Sequence, residues 1–219
     1  ASIGSTECTS CLPGFADLDS NPATECSPCT PGHASSTGAT SCTPCALGFA
    51  DLDSDAATAC DACEPGSYAA EESTTCVGCV AGEADLDGDA STPCVPCAIG
   101  YASIVAATMC DACAPGTADL DAAPATPCDQ CAAGRVSGDA AAACTECVSG
   151  TADLDEDPAT PCSNCTAGFF SAQAVTACAP CAAGTIDGDS NPSTQCTQCP
   201  LGSYNPEAAT ECALCAPGT

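Results

Sequence analysis

The chain has 219 residues, with 29 acidic residues, a single Arg and His, no Lys, and a net charge of −28. That balance excludes binding to a phosphate backbone or an anionic lipid surface, and no apolar run approaches a membrane span. Leu, Ile, Val and Phe together number 24, too few for a conventional core, but 26 Cys place the chain among disulfide scaffolds rather than disordered segments.

From the N-terminus, "ASIGSTEC" reads as the tail of a loop. "CLPGFADLDSNPATEC" follows from Cys11 to Cys26, and "CTPGHASSTGATSC" from Cys29 to Cys42. This long loop and short loop then alternate to the end of the chain. The cysteines fall in thirteen C-x-x-C pairs. First cysteines at 8, 42, 76, 110, 144, 178 and 212 are spaced by 34 residues, as are those at 26, 60, 94, 128, 162 and 196. The sequence therefore predicts one continuous tandem array over 1–219. Its 34-residue repeat has a long half of 18 and a short half of 16, in about six copies. The terminal "CAPGT" matches 113–117, so both ends are expected to be cut mid-repeat. Because no insertion interrupts the period, each loop is expected to pack against its neighbours.

Within each loop two positions recur. Gly stands three residues after every second Cys, thirteen times from Gly14 to Gly218, and is expected at a left-handed turn. Thr stands two residues before the first Cys in twelve of thirteen pairs, Ala142 being the exception. A local side-chain-to-backbone hydrogen bond explains it. An O-glycan is the functional alternative, at Thr24, Thr126 and Thr160 in particular. The only N-glycosylation sequon is Asn164-Cys165-Thr166. Gly, Pro, Asp, Ser and Thr dominate the loops, so turns and short β-bridges are expected, with no long helix.

C-x-x-C pairs at this separation also suit zinc. Six tetrathiolate sites would add roughly −12 to an already acidic chain, whereas disulfides are neutral. Disulfides are therefore expected. Two regular schemes fit. Pairs could bond pairs, as Cys8–Cys26 with Cys11–Cys29, but thirteen pairs leave one stranded. Alternatively the second Cys of each pair bonds the first of the next. That favoured scheme joins Cys11–Cys26, Cys29–Cys42, Cys45–Cys60, Cys63–Cys76, Cys79–Cys94 and Cys97–Cys110. It continues with Cys113–Cys128, Cys131–Cys144, Cys147–Cys162, Cys165–Cys178, Cys181–Cys196 and Cys199–Cys212. Cys8 and Cys215 then remain for neighbours outside the chain.

The acids of the long loops alternate as D-x-D-x-[DN]. They are Asp17/Asp19/Asn21, Asp51/Asp53/Asp55, Asp85/Asp87/Asp89, Asp153/Asp155/Asp157 and Asp187/Asp189/Asn191, with Asp119/Asp121/Ala123 in the remaining copy. Alternating carboxylates could converge on Ca²⁺, as in the first half of an EF-hand loop. Pro28, Ala62 and Pro96 stand where that loop needs its bidentate Glu, so a weak, millimolar-class site is the expectation. The structural alternative is an Asx turn with the central Leu packed inward. Phe15, Phe49, Tyr68, Tyr101, Phe169, Phe170 and Tyr204 are expected as packing plugs between loops. His33 is expected to face solvent, and no enzyme constellation is visible.

The half-repeats "CEPGSYAAEESTTCVGC" (63–79) and "CTPGHASSTGATSCTPC" (29–45) resemble the cysteine-rich repeats called ephrin-receptor-like. They also look like the first loop of tumour necrosis factor receptor modules. The resemblance implies that each loop is closed by its own flanking cysteines, supporting the favoured scheme for Cys29–Cys42 and its equivalents. It further implies an extracellular rod of stacked loops, similar to repeats in large protist and algal surface and mastigoneme (flagellar hair) proteins. The fold expected is a small disulfide-rich repeat solenoid, elongated, with little regular secondary structure. The function expected is an extracellular structural segment of a surface filament, associating with copies of itself. The alternatives are the stalk of a receptor or adhesin, or an acidic calcium-binding matrix glycoprotein. No cofactor is required; calcium and glycans are the additions expected.

Overall fold

A computed structural model describes residues 9–216. Among these residues there is no helix. Twenty-four two-residue strands pair as twelve antiparallel hairpins. In the first, β1 (Phe15–Ala16) pairs with β2 (Ser27–Pro28), Phe15 facing Pro28 and Ala16 facing Ser27. The last pairs β23 (Ser203–Tyr204) with β24 (Ala213–Leu214). Each hairpin thus joins the residues just after the turn glycine to the two residues inside the next C-x-x-C.

The turn explains why the hairpin starts there. In Leu12-Pro13-Gly14-Phe15 the Phe15 N–H donates to the Leu12 carbonyl at 3.1 Å, and Gly14 has φ +85°. Pro fixes the first corner of such a turn and Gly takes the left-handed second one. His33 to Thr30, Ser67 to Glu64 and Thr117 to Ala114 repeat the bond over T-P-G-H, E-P-G-S and A-P-G-T.

Twelve disulfides close the loops, at sequence separations of 15 and 13 in alternation, all in the favoured pairing from Cys11–Cys26 to Cys199–Cys212. Closing a loop of this size is worth about 3 kcal/mol in the chain-entropy model. The expected leftover, Cys215, is a free and exposed thiol; Cys8 lies outside the described residues. The buried interior is made of loop-opening cysteines, such as Cys45, Cys79, Cys113, Cys147 and Cys181. With them goes one Ala in each of five long loops, at 16, 50, 84, 118 and 152, each 0% exposed; the sixth has the half-buried Ile186 there.

By their contacts the residues divide into two compact units. Unit 1 is Ala1–Cys97 with Ser103–Cys110; unit 2 is Ala98–Ala102 with Asp111–Thr219. Within each, loops are tied to the next loop and to the next but one. In unit 1, Gly14 N–H donates to the Ser35 carbonyl, Ser35 N–H to Ala56, and Gly38 N–H to Cys11. In unit 2, Gly150 N–H donates to Ser171, Ser171 N–H to Pro192, and Ala174 N–H to Cys147.

The next-but-one contact needs the missing side chain of the turn glycine. A methyl group on Gly66 would lie 2.8 Å from the Ala106 carbonyl carbon and closer still to its oxygen. Gly32 meets Glu72 in the same way, Gly100 meets Ala140 and Gly168 meets Ala208. In the long loops the approach is gentler: Gly48 meets the Ser91 nitrogen at 3.1 Å, and Gly150 meets Ser193 at 3.0 Å. The carbonyls facing the short-loop glycines belong to residues that themselves have positive φ without being Gly, from 53° at Ala140 to 62° at Glu72.

Three expectations are corrected. The central Leu of the acidic loops does not pack inward: Leu18, Leu52, Leu86, Leu120 and Leu154 are 52–56% exposed. None of the seven aromatic residues is buried; Phe15, Phe49 and Tyr204 are exposed and the others half-buried. The glycine contact brings backbone against backbone, leaving no gap for a plug. His33 does not face solvent freely. Its side chain is 20% exposed, with Nε2 3.7 Å from Glu72 Oε1 in the next short loop.

Arg135 is the chain's only basic cleavage point for trypsin. Its side chain is 42% exposed and pairs with Glu146 across the hairpin. It lies inside the Cys131–Cys144 loop. Trypsin should therefore leave one band on a non-reducing gel, and reduction should release two fragments, 1–135 and 136–219. Separation without reductant would contradict this pairing.

Candidate functional site: the acidic long loop

The three acidic positions of each long loop have three different jobs. The first Asp points into the array. Asp51, Asp85, Asp119, Asp153 and Asp187 are only 2–6% exposed. Each accepts, through Oδ2, the N–H of the turn glycine in the preceding short loop: Gly32, Gly66, Gly100, Gly134 and Gly168, at 3.0–3.3 Å. A buried carboxylate is tolerable only when hydrogen-bonded. In Asp85, Asp119 and Asp187 the other oxygen is satisfied too, by N–H groups of Gly88, Ala123 and Asn191. Asp17 is half-buried.

The second Asp faces outward and closes the loop on itself. Asp53 accepts the Asp55 N–H and both its oxygens accept the Thr58 hydroxyl, at 3.2 and 3.0 Å. Asp19 with Thr24, Asp87 with Thr92, Asp121 with Thr126, Asp155 with Thr160 and Asp189 with Thr194 repeat the arrangement. The Thr hydroxyl also reaches the carbonyl three residues before it, as Thr24 to Asn21 at 2.8 Å. The third residue opens the final turn. Asn21, Asp55, Asp89, Asp157 and Asn191 accept the N–H two residues on. Their carbonyls take the N–H of the Thr, as Thr24 to Asn21 at 3.0 Å. Asx at the first place of the turn, with Pro22, Pro158 or Pro192 at the second, is what such a turn favours.

The Thr before each long-loop Cys therefore does have a local hydrogen-bonding role, with a carboxylate as well as backbone. Thr24 and Thr126 are exposed and Thr160 is half-buried. Asn164 is exposed, and the middle residue of its sequon, Cys165, is buried in a disulfide. The D-x-D-x-[DN] alternation brings at most two carboxylates together: Asp119 and Asp121 share the Ala123 N–H, and Asp187 and Asp189 share that of Asn191. Among the described residues, no group of three or more His, Cys, Asp and Glu is placed to hold a metal ion.

A further connecting position escaped sequence reasoning. The residue three after the turn glycine is Asp in the long loops, but Ser35, Ser103, Ser137, Ser171 and Asn205 in short ones. These Ser and Asn side chains donate to backbone carbonyls 20 residues earlier, as Ser103 to Glu83 at 2.8 Å and Asn205 to Thr185. Ser103, Ser171 and Asn205 also accept turn-glycine N–H groups, from Gly82, Gly150 and Gly184. The G-x-x-[DSN] wording runs through both loop types, and its Ser and Asn forms connect loops as its Asp form does. Ala69 departs from it, and there Gly48 N–H donates to the Ala69 backbone carbonyl at 2.9 Å.

No protein-family model matches the chain, and no curated protein matches it.

These hydrogen bonds hold the second Asp below the ordinary 3.8. The dominant cause is the backbone N–H two residues on for Asp19, Asp53, Asp87 and Asp189, and the Thr hydroxyl for Asp121 and Asp155. A carboxylate whose folded pKa is depressed contributes stability above its unfolded value, lost as pH falls through the folded one. The melting temperature should therefore hold from neutral pH to about 5 and fall below about pH 4. Thr160→Val should move the Asp155 carboxyl titration, followed by NMR, up toward 3.8; an unmoved titration would sink the assignment of that bond. Ca²⁺ at about 10 mM, above the millimolar affinities of extracellular calcium modules, should shift the melting temperature no more than Mg²⁺ does. A calcium-specific rise would show the carboxylates regrouping into a site.

Proposed function

We propose that the chain is a structural segment of an extracellular fibre, built from a repeating disulfide-closed loop. The observation that carries this reading is the division of labour inside each repeat. The recurring residues are spent on joining and closing loops: turn glycine to next-but-one backbone and inward Asp to preceding glycine join them, and Thr closes on its own Asp. A quasi-one-dimensional array gains length by adding copies, each stabilised by its neighbours. Disulfides persist in oxidising compartments outside the cytosol, and here they stand where a small core would be insufficient. No helix of the described residues is long and apolar enough to cross a membrane. Copies of the same chain are the proposed partner, with sugars as the accessory.

Electron microscopy of native material is the test. The reading expects ordered fibres whose axial spacing is a multiple of the rise of one 34-residue repeat. A monomer that captures a soluble protein ligand, or a matrix that takes up calcium in bulk without assembling, would replace it with one of the alternatives.

A further inference from the structure

We propose that the threonines before the closing cysteines of the short loops, Thr40, Thr74, Thr108, Thr176 and Thr210, are attachment sites for O-linked sugars. The inference rests on the extracellular reading above, since sugar transfer of this kind takes place on the secretory route.

The same sequence position has two fates. In the long loops the Thr hydroxyl is fully committed, to both oxygens of an Asp and to a backbone carbonyl. In the short loops that Asp has no counterpart, and the hydroxyl makes no hydrogen bond among the described residues. Thr40, Thr74, Thr108 and Thr210 are exposed and Thr176 is half-buried. Nor does the fold require the hydroxyl. Ala142 holds the same place in one short loop, and the neighbouring carbonyl of Ala141 still accepts the Asp119 N–H at 3.0 Å. Equivalent bonds run from Asp17 to Ala39, Asp51 to Ser73, Asp85 to Ala107, Asp153 to Val175 and Asp187 to Ala209.

Those bonds also fix how the hydroxyl is presented. The residue before each Thr is pinned to the long loop preceding it, and two residues after it the chain is pinned by a disulfide. Each Thr therefore stands between two fixed points of the backbone, on residues that are exposed or, at Thr176, half-buried. A sugar there costs no existing bond. On Thr24, Thr126 or Thr160 it would remove the hydrogen that the Asp and the carbonyl accept. In the transfer, Thr Oγ1 attacks the anomeric carbon of a nucleotide-activated sugar. The new C–O bond forms as the bond to the nucleotide diphosphate breaks, and the hydroxyl proton leaves to base.

The test is mass spectrometry of the native protein, reduced, alkylated and cleaved at acidic residues, with electron-transfer fragmentation to place each sugar mass. Sugar should be found on the short-loop threonines, with Thr24, Thr126 and Thr160 bare. Bare short-loop threonines, or sugar confined to the long-loop ones, would overturn the proposal. Fibres with bare threonines would leave the structural reading standing without this one; sugars at these five positions on a protein that forms no fibre would do the reverse.

Discussion

The array depends on a side chain that is absent. Where a short-loop glycine turns, the backbone carbonyl two loops on sits in the space a Cβ would fill. Gly is needed twice over at that point: for a φ of about +83° and for the room. The long-loop glycines do the same at slightly longer range. Such close backbone approach leaves little space for a core of large side chains. Ala and cystine fill what remains, and this is why a chain with so few large apolar residues can still be ordered.

The same constraint sets the inside-out pattern of the acidic loop. Bringing the glycine backbone into the interior buries its N–H, and a buried N–H needs an acceptor. In the long loops that acceptor is the first Asp, drawn inward at the cost of a buried charge; in the short loops Ser or Asn serves at the same position. Leu, next along in the turn or bend that follows, is then turned outward. Hydrophobic-in, charge-out patterning fails here because leaving the buried N–H unmet would cost as much as burying one Leu gains. An unmet buried hydrogen bond costs about 1–3 kcal/mol, comparable with the about 1.5–3 kcal/mol gained by burying a whole Leu.

Much of the fold was legible because it is written in spacing. The 34-residue period located every loop, the odd number of C-x-x-C pairs favoured the pairing found, and the Gly three residues after each second Cys marked the left-handed turns. What spacing could not show was direction. Nothing in "ADLD" says that Asp51 turns inward while Leu52 turns out, because that follows from contact with Gly32, 19 residues earlier. The D-x-D-x-[DN] alternation looked like convergent ligands for the same reason: its members are close in sequence, yet the first reaches back to the preceding loop while the other two serve only their own. His33 was likewise misjudged, since its partner Glu72 is a full repeat away in the next short loop.

The claim that the turn glycine makes room for the next-but-one loop is tested most directly by one pair of substitutions. Gly66 and Gly88 both lie inside the array with positive φ, 83° and 66°, but a methyl group on Gly88 meets nothing within 4 Å. Gly88→Ala should cost only the left-handed backbone strain, about 1–2 kcal/mol. Gly66→Ala should cost that and a further 1–3 kcal/mol or so of overpacking, read as a markedly larger fall in melting temperature with all disulfides intact. Equal losses at the two positions would mean that the glycine is there for its turn alone, and that the loops are held together by something else.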